Sequence, residues 1–83
     1  MKVKIRLDTG ADAIKFSTIA SKLPGDIHVL DNAGLRVNAK SVLGMLYTLE
    51  FSELWCESDY DIYSHIEEFI IIESLLESTK FDA

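Results

Sequence analysis

With 83 residues, 48% of them hydrophobic, the chain can build a small packed core and is too apolar for a disordered segment. Its net charge of −6, with a pI near 4.7, argues against a nucleic-acid surface, which gathers Lys and Arg against phosphate. The longest apolar run, Phe69 to Ile72, falls far short of the ~18 residues of a membrane helix. The alternating MKVKIRL start is not a signal peptide, and the single Cys56 can close no internal disulfide and matches no zinc spacing. Together these features imply one domain over residues 1–83, in the cytoplasm, with no membrane insertion, no metal and no cofactor.

Lys2, Lys4 and Arg6 alternate with Val3, Ile5 and Leu7, the period of a strand with one wet and one buried face. Asp8-Thr9-Gly10 breaks that pattern. Ala13, Phe16, Ile19, Ala20 and Leu23 then recur at helical spacing, which predicts a helix over 11–22 closed by Pro24-Gly25. Ile27 and Val29 around His28 predict a second strand, and Asp31-Asn32-Ala33-Gly34 has turn chemistry. Leu35, Val37 and Ala39 predict a third strand, paired with the second as a hairpin. Ser41 is a good N-cap for a helix in SVLGMLY, and Gly44, costing ~1 kcal/mol against Ala, keeps that helix short. Leu49 and Phe51 alternate, and Leu54 and Cys56 do so one step out of phase. This pattern predicts one strand over 48–57 with a bulge near Ser52-Glu53. Ser58-Asp59 caps a last helix whose stripe is Ile62, Ile66 and Phe69. The stripe fails at Glu73, so this helix is expected to leave the body near Ile72, with 73–83 as a frayed end or an interaction tail.

The β-α-β-β-α-β-α order, with apolar faces all pointing one way, predicts an α+β fold in which helices cover one side of a single sheet. His28 should face solvent, His65 should be a half-buried packing residue, and neither has the convergent ligands of a metal site. Cys56 shares the buried phase with Leu54, as an inert core thiol would. Trp55 falls on the polar face of its strand.

Asp8-Thr9-Gly10-Ala11-Asp12 resembles the signature of retroviral-type aspartic proteases, in which two chains each supply one carboxylate. That family is nearly all β, whereas a helical pattern follows this motif at once. Val42-Leu43-Gly44 is followed by Met45 where a supporting polar residue belongs. The alternative is that Thr9 or Asp8 caps a helix and Asp12 occupies its first turn, where the helix dipole favours negative charge.

A longer resemblance lies in IASKLPGDIHVL followed by LRVNAKSVLGML. Ala-Ser-Lys, an Asp-led strand, a short turn and Val-Asn-x-Lys-Ser-hydrophobic-hydrophobic-Gly resemble the histidine-containing phosphocarrier (HPr) family of the bacterial sugar phosphotransferase system. The residue match covers about Ala20–Leu46, and the rest agrees by element order. The resemblance implies an open-faced β-sandwich, a four-stranded antiparallel sheet with helices on one face. It also makes the first and fourth strands neighbours, so that either Lys4 or Arg6 stacks on Trp55 or Trp55 forms a contact patch with Lys2, Lys4 and Arg6 on the open sheet. The family's phosphorylated histidine and its arginine fall on Thr9 and Ala11, so no phosphoryl relay, and no enzyme activity, is expected.

In Gram-positive members, the serine that opens the second helix is phosphorylated and makes the protein a corepressor; Ser41 holds that position beside Lys40. Its two roles, cap only or regulated serine, stay open at this point. The family's partner-binding positions on this helix are Val42, Leu43 and Leu46, a docking patch if exposed and core if buried. The implied partner is a protein, a transcription regulator or a component of the phosphotransferase system, and the chain itself a monomer or weak homodimer. The alternative is an HPr-fold interaction protein unrelated to sugar transport, assembling through its open sheet or its tail.

Overall fold

The computed structural model describes residues 1–72. Strand β1 (Lys2–Ile5) leads into helix α1 (Gly10–Ser21), followed by strands β2 (Ile27–Leu30) and β3 (Arg36–Asn38). Helix α2 (Val42–Tyr47) runs into a 3₁₀ turn at Thr48–Glu50. Strand β4 (Leu54–Ser58), the short helix α3 (Tyr63–Ile66) and a second 3₁₀ turn at Glu67–Phe69 complete the order. The strands form one antiparallel sheet in the order β1-β4-β2-β3. This is the α+β open-faced sandwich, with the helices on one face.

Strand alternation decides what each face carries. Ile5, Ile27, Val29, Leu54 and Cys56 point to the helical side and are buried there with Phe16, Met45, Ile62, Ile66 and Phe69. Each large side chain so buried is worth about 1.5–3 kcal/mol. The Phe16 and Phe69 rings meet edge-on, 5.3 Å apart at 68°, and tie α1 to the end of α3. Lys4, Trp55 and His28 take the other phase and stand on the open face. Lys4 lies opposite Trp55 in the β1–β4 register, and its Nζ sits 5.7 Å from the ring centroid, so Lys4 rather than Arg6 stacks there.

Turn chemistry fixes the hairpin. The Asp31 Oδ1 accepts from the backbone N–H groups of Ala33 (3.0 Å) and Leu35 (2.8 Å). Gly25, at φ +79°, turns the chain after α1 beneath Tyr60, whose hydroxyl donates to the Pro24 carbonyl at 2.6 Å.

Several local expectations fail, each for a physical reason. Residues 48–57 are not one bulged strand. Thr48 is fully buried, its hydroxyl donates to the Met45 carbonyl at 2.6 Å, and its N–H continues the ladder of α2. The phase change between Phe51 and Leu54 is therefore the boundary between a helical turn and a strand. Leu35 precedes β3 and is 51% exposed. Ser58 does not cap a helix, because it is the last residue of β4 and its hydroxyl bonds the Tyr60 carbonyl. The last helix opens only at Tyr63, whose N–H is taken by the Asp61 carboxylate at 2.9 Å.

The last helix also ends sooner than expected. Ile70 faces Ile5 across an antiparallel bridge, with Arg6 N–H donating to the Phe69 carbonyl (2.8 Å) and Ile71 N–H to the Lys4 carbonyl (3.0 Å). The β-branched run Ile70–Ile72 suits an extended chain better than a helix. His65 is exposed rather than half-buried, and His28 is half-buried rather than exposed. The expectation for 73–83 lies outside the described residues.

Candidate functional site

The amino end of α1 is closed by its own side chains. Thr9 is the N-cap, in an extended conformation, and its Oγ1 accepts the Asp12 N–H at 3.2 Å. The Asp12 Oδ2 in turn accepts the backbone N–H groups of Thr9 (3.3 Å) and Asp8 (3.0 Å). This reciprocal capping box satisfies the Asp8, Thr9 and Asp12 N–H groups, which would otherwise be free to receive an anion. The Asp8 Oδ1 takes the Arg6 Nε at 2.7 Å. Ala11 is exposed and brings no charge.

Asp8 and Asp12 therefore serve a surface ion pair and a helix cap. The helix-cap alternative for DTGAD holds, and the fold is not that of the retroviral-type proteases, since a helix starts inside the motif at Gly10 and the fold is α+β. Neither histidine stands at a helix amino end: His28 is in the middle of β2 and His65 is in the last turn of α3.

Helix α2 packs beside α1 in antiparallel sense. Gly10, at the start of α1, would place a Cβ only 3.6 Å from Leu46 Cδ2, while Ser21 at its far end reaches the Lys40 carbonyl at 3.5 Å. Ser41 is the exposed N-cap of α2, in an extended conformation, with its Oγ accepting the Gly44 N–H at 3.2 Å. The neighbouring Lys40 ammonium is turned away onto the Leu23 carbonyl at 2.7 Å, where it serves the carboxyl end of α1.

The apolar residues of α2 divide. Met45 is buried and Leu46 is half-buried against the core, whereas Val42 is exposed and Leu43 is 81% exposed. Sequence reasoning missed two residues of the same surface. Tyr47 is 56% exposed, its ring edge-on to Phe51, and Ile14 on α1 is 46% exposed. Ile14 was legible in principle, because it lies off the Ala13–Phe16–Ala20 stripe and the antiparallel register sets it beside the middle of α2.

On the remaining surface, burial pushes the Cys56 thiol up to about 12, in keeping with an inert core position. Among the described residues, no group of three or more His, Cys, Asp or Glu side chains is placed to hold a metal ion. No helix there is long and apolar enough to cross a membrane.

Fold and surface thus define a class, a small open-faced sandwich that offers an exposed two-helix face beside a self-capped helix end. Among solved structures, the chain is similar to the crystal structure of HPr-C-His from Thermoanaerobacter tengcongensis. The TM-score is 0.58 and the sequence identity 27%, over 81% of each chain. The fold is HPr-like. No protein-family model and no curated protein matches the sequence.

Proposed function

We propose that this chain is a bacterial, cytoplasmic HPr-like protein of the phosphotransferase class that lacks a phosphorylatable histidine. It is not an enzyme and works as a regulatory, protein-binding module through the Ser41 helix. The observation that carries this reading is the capping box at Thr9 and Asp12. Where the resemblance implies an imidazole and a nearby arginine, this chain has Thr9 and Ala11, and the Thr9 hydroxyl and the Asp12 carboxylate are bound to backbone N–H groups. A threonine forms no labile phosphoramidate, and Asp8 and Asp12 repel an incoming phosphoryl donor.

What remains for function is contact. Leu43, Val42 and Tyr47 are exposed on a helix that a partner can reach, and exposed apolar clusters mark interaction sites. Ser41 opens that helix, accessible to a kinase, and a phosphoryl group there would place new negative charge at the edge of the contact surface. The partner is a transcription regulator or a component of the sugar phosphotransferase system.

Incubation with the family's serine kinase and ATP tests the regulatory arm. Ser41 should be labelled, and Ser41→Ala should abolish the label; an unlabelled wild-type chain removes the regulated-serine role. The engagement of Lys40 on Leu23, away from Ser41, favours a second reading: an HPr-fold interaction protein unrelated to sugar transport, for which the exposed helix face suffices without phosphorylation.

A further inference from the structure

We infer that the face built by Ile14, Leu43 and Tyr47 docks a protein segment presenting an apolar side chain beside lysine or arginine, with the cation reaching the carboxylates around the amino end of α1. This inference rests on the docking reading above and adds the chemistry of the partner.

The strip has two unlike ends. At the Leu46 end, Gly10 and Thr9 bring it to Asp8 and Asp12. There a cleft of about 440 Å³ opens between the start of α1 and the chain after α3. Asp8, Asp12 and Glu68 line it, and Arg6 is the one cation lining it among the described residues. At the other end are Lys22 and Lys40, the latter held by the Leu23 carbonyl. Lys2, Lys4 and Arg36 stand on the open side of the sheet, behind the helices, whereas Lys15, next to Ile14 on α1, pairs with Glu68.

Asp12 is held by the helix cap, but the other two carboxylates at the cleft are not locked. Asp8 pairs with Arg6 at 2.7 Å and Glu68 with Lys15 at 2.9 Å, but all four side chains are half or more exposed. Such pairs are worth little and exchange partners readily. A cation brought in beside an apolar anchor replaces a water-screened contact with one partly shielded from water, and the overall charge of −6 draws a basic segment in and repels an acidic one.

The experiment uses the full isotope-labelled chain and two synthetic amphipathic helical peptides of equal length and apolar pattern. One carries Leu with Lys, the other Leu with Glu. The Leu/Lys peptide should shift the amides of Ile14, Leu43 and Tyr47 and bind more tightly than its acidic counterpart. Asp8→Asn and Glu68→Gln should each weaken it by about twofold or more, as loss of an exposed pair does. Asp59→Asn, an equal change of charge in the β4–α3 loop, should leave the affinity unchanged.

Equal or tighter binding of the Leu/Glu peptide, or an Asp59→Asn loss matching that of Glu68→Gln, overturns the charge assignment. If in that case both peptides still shift Leu43 and Tyr47, the docking face stands without it. If neither peptide shifts those amides, both readings fall.

Discussion

Replacing Thr9 with Ala removes one half of the capping box and nothing from the core, because Thr9 is exposed and its hydroxyl serves only the Asp12 N–H at 3.2 Å. Losing a Ser or Thr N-cap typically costs about 1 kcal/mol, within a range of roughly 0.5–2. The freed N–H lies at an accessible helix end where water can satisfy it, which places the cost near the middle of that range. The Asp12 carboxylate keeps its bonds to the Thr9 and Asp8 N–H groups, so the helix end should loosen rather than unravel. For a chain of this size, 1 kcal/mol corresponds to a fall in melting temperature of about 4–8 °C. Thermal unfolding followed by far-ultraviolet circular dichroism reads that shift. Thr9→Ser should recover most of it, since the hydroxyl is what matters. A Thr9→Ala protein that melts at or above the wild-type temperature would refute the claim that this helix end is closed by its own side chains.

Other consequences follow from single residues. Ser17 is fully buried on α1, and its Oγ has no partner among the described residues; Ser17→Ala should therefore raise the urea midpoint at an unchanged m-value, corresponding to about 1 kcal/mol of added stability. Leu43→Ser should leave stability within about 0.5 kcal/mol of wild type, because an exposed side chain contributes little to the core, while partner or peptide binding weakens. Cys56 should resist a thiol reagent at neutral pH in the folded protein and react fully in denaturant. Its folded pKa lies above the ordinary 9.0, so the stability held by the neutral thiol is intact below about pH 9 and is lost as pH rises towards about 12. An alkaline titration of the urea midpoint, wild type against Cys56→Ala, checks that window.

The parts of the fold written in regular periods were legible. Val3–Ile5 and Ile27–Val29 declared their buried faces, and Ala13, Phe16 and Ala20 declared theirs. The caps at Thr9 and Ser41 were readable because an N-cap depends on one side chain and its own helix. What failed depended on tertiary context. Leu49 and Phe51 alternate like a strand, yet Thr48, buried against the carbonyl of Met45, holds the chain in a helical turn. Ile62, Ile66 and Phe69 form a true stripe, but pairing of Ile70–Ile71 with β1 ends the helix early, and no local signal announces a strand partner some 65 residues away in sequence. At the candidate site, sequence placed Leu43 and Ser41. It could not tell that Lys40 would serve the end of α1, or that Ile14 and Tyr47 would complete an exposed face.

A helix end capped by Thr9 and Asp12 should carry no phosphoryl relay. Intact-protein and peptide mass spectrometry after incubation with phosphoenolpyruvate and the system's general phosphotransferase enzyme measures it, with an authentic histidine-bearing phosphocarrier as the positive control. The control should gain one phosphoryl group, and this chain should gain none at Thr9, His28 or His65. A phosphoryl group transferred to any of those three residues would show that this chain does relay phosphate.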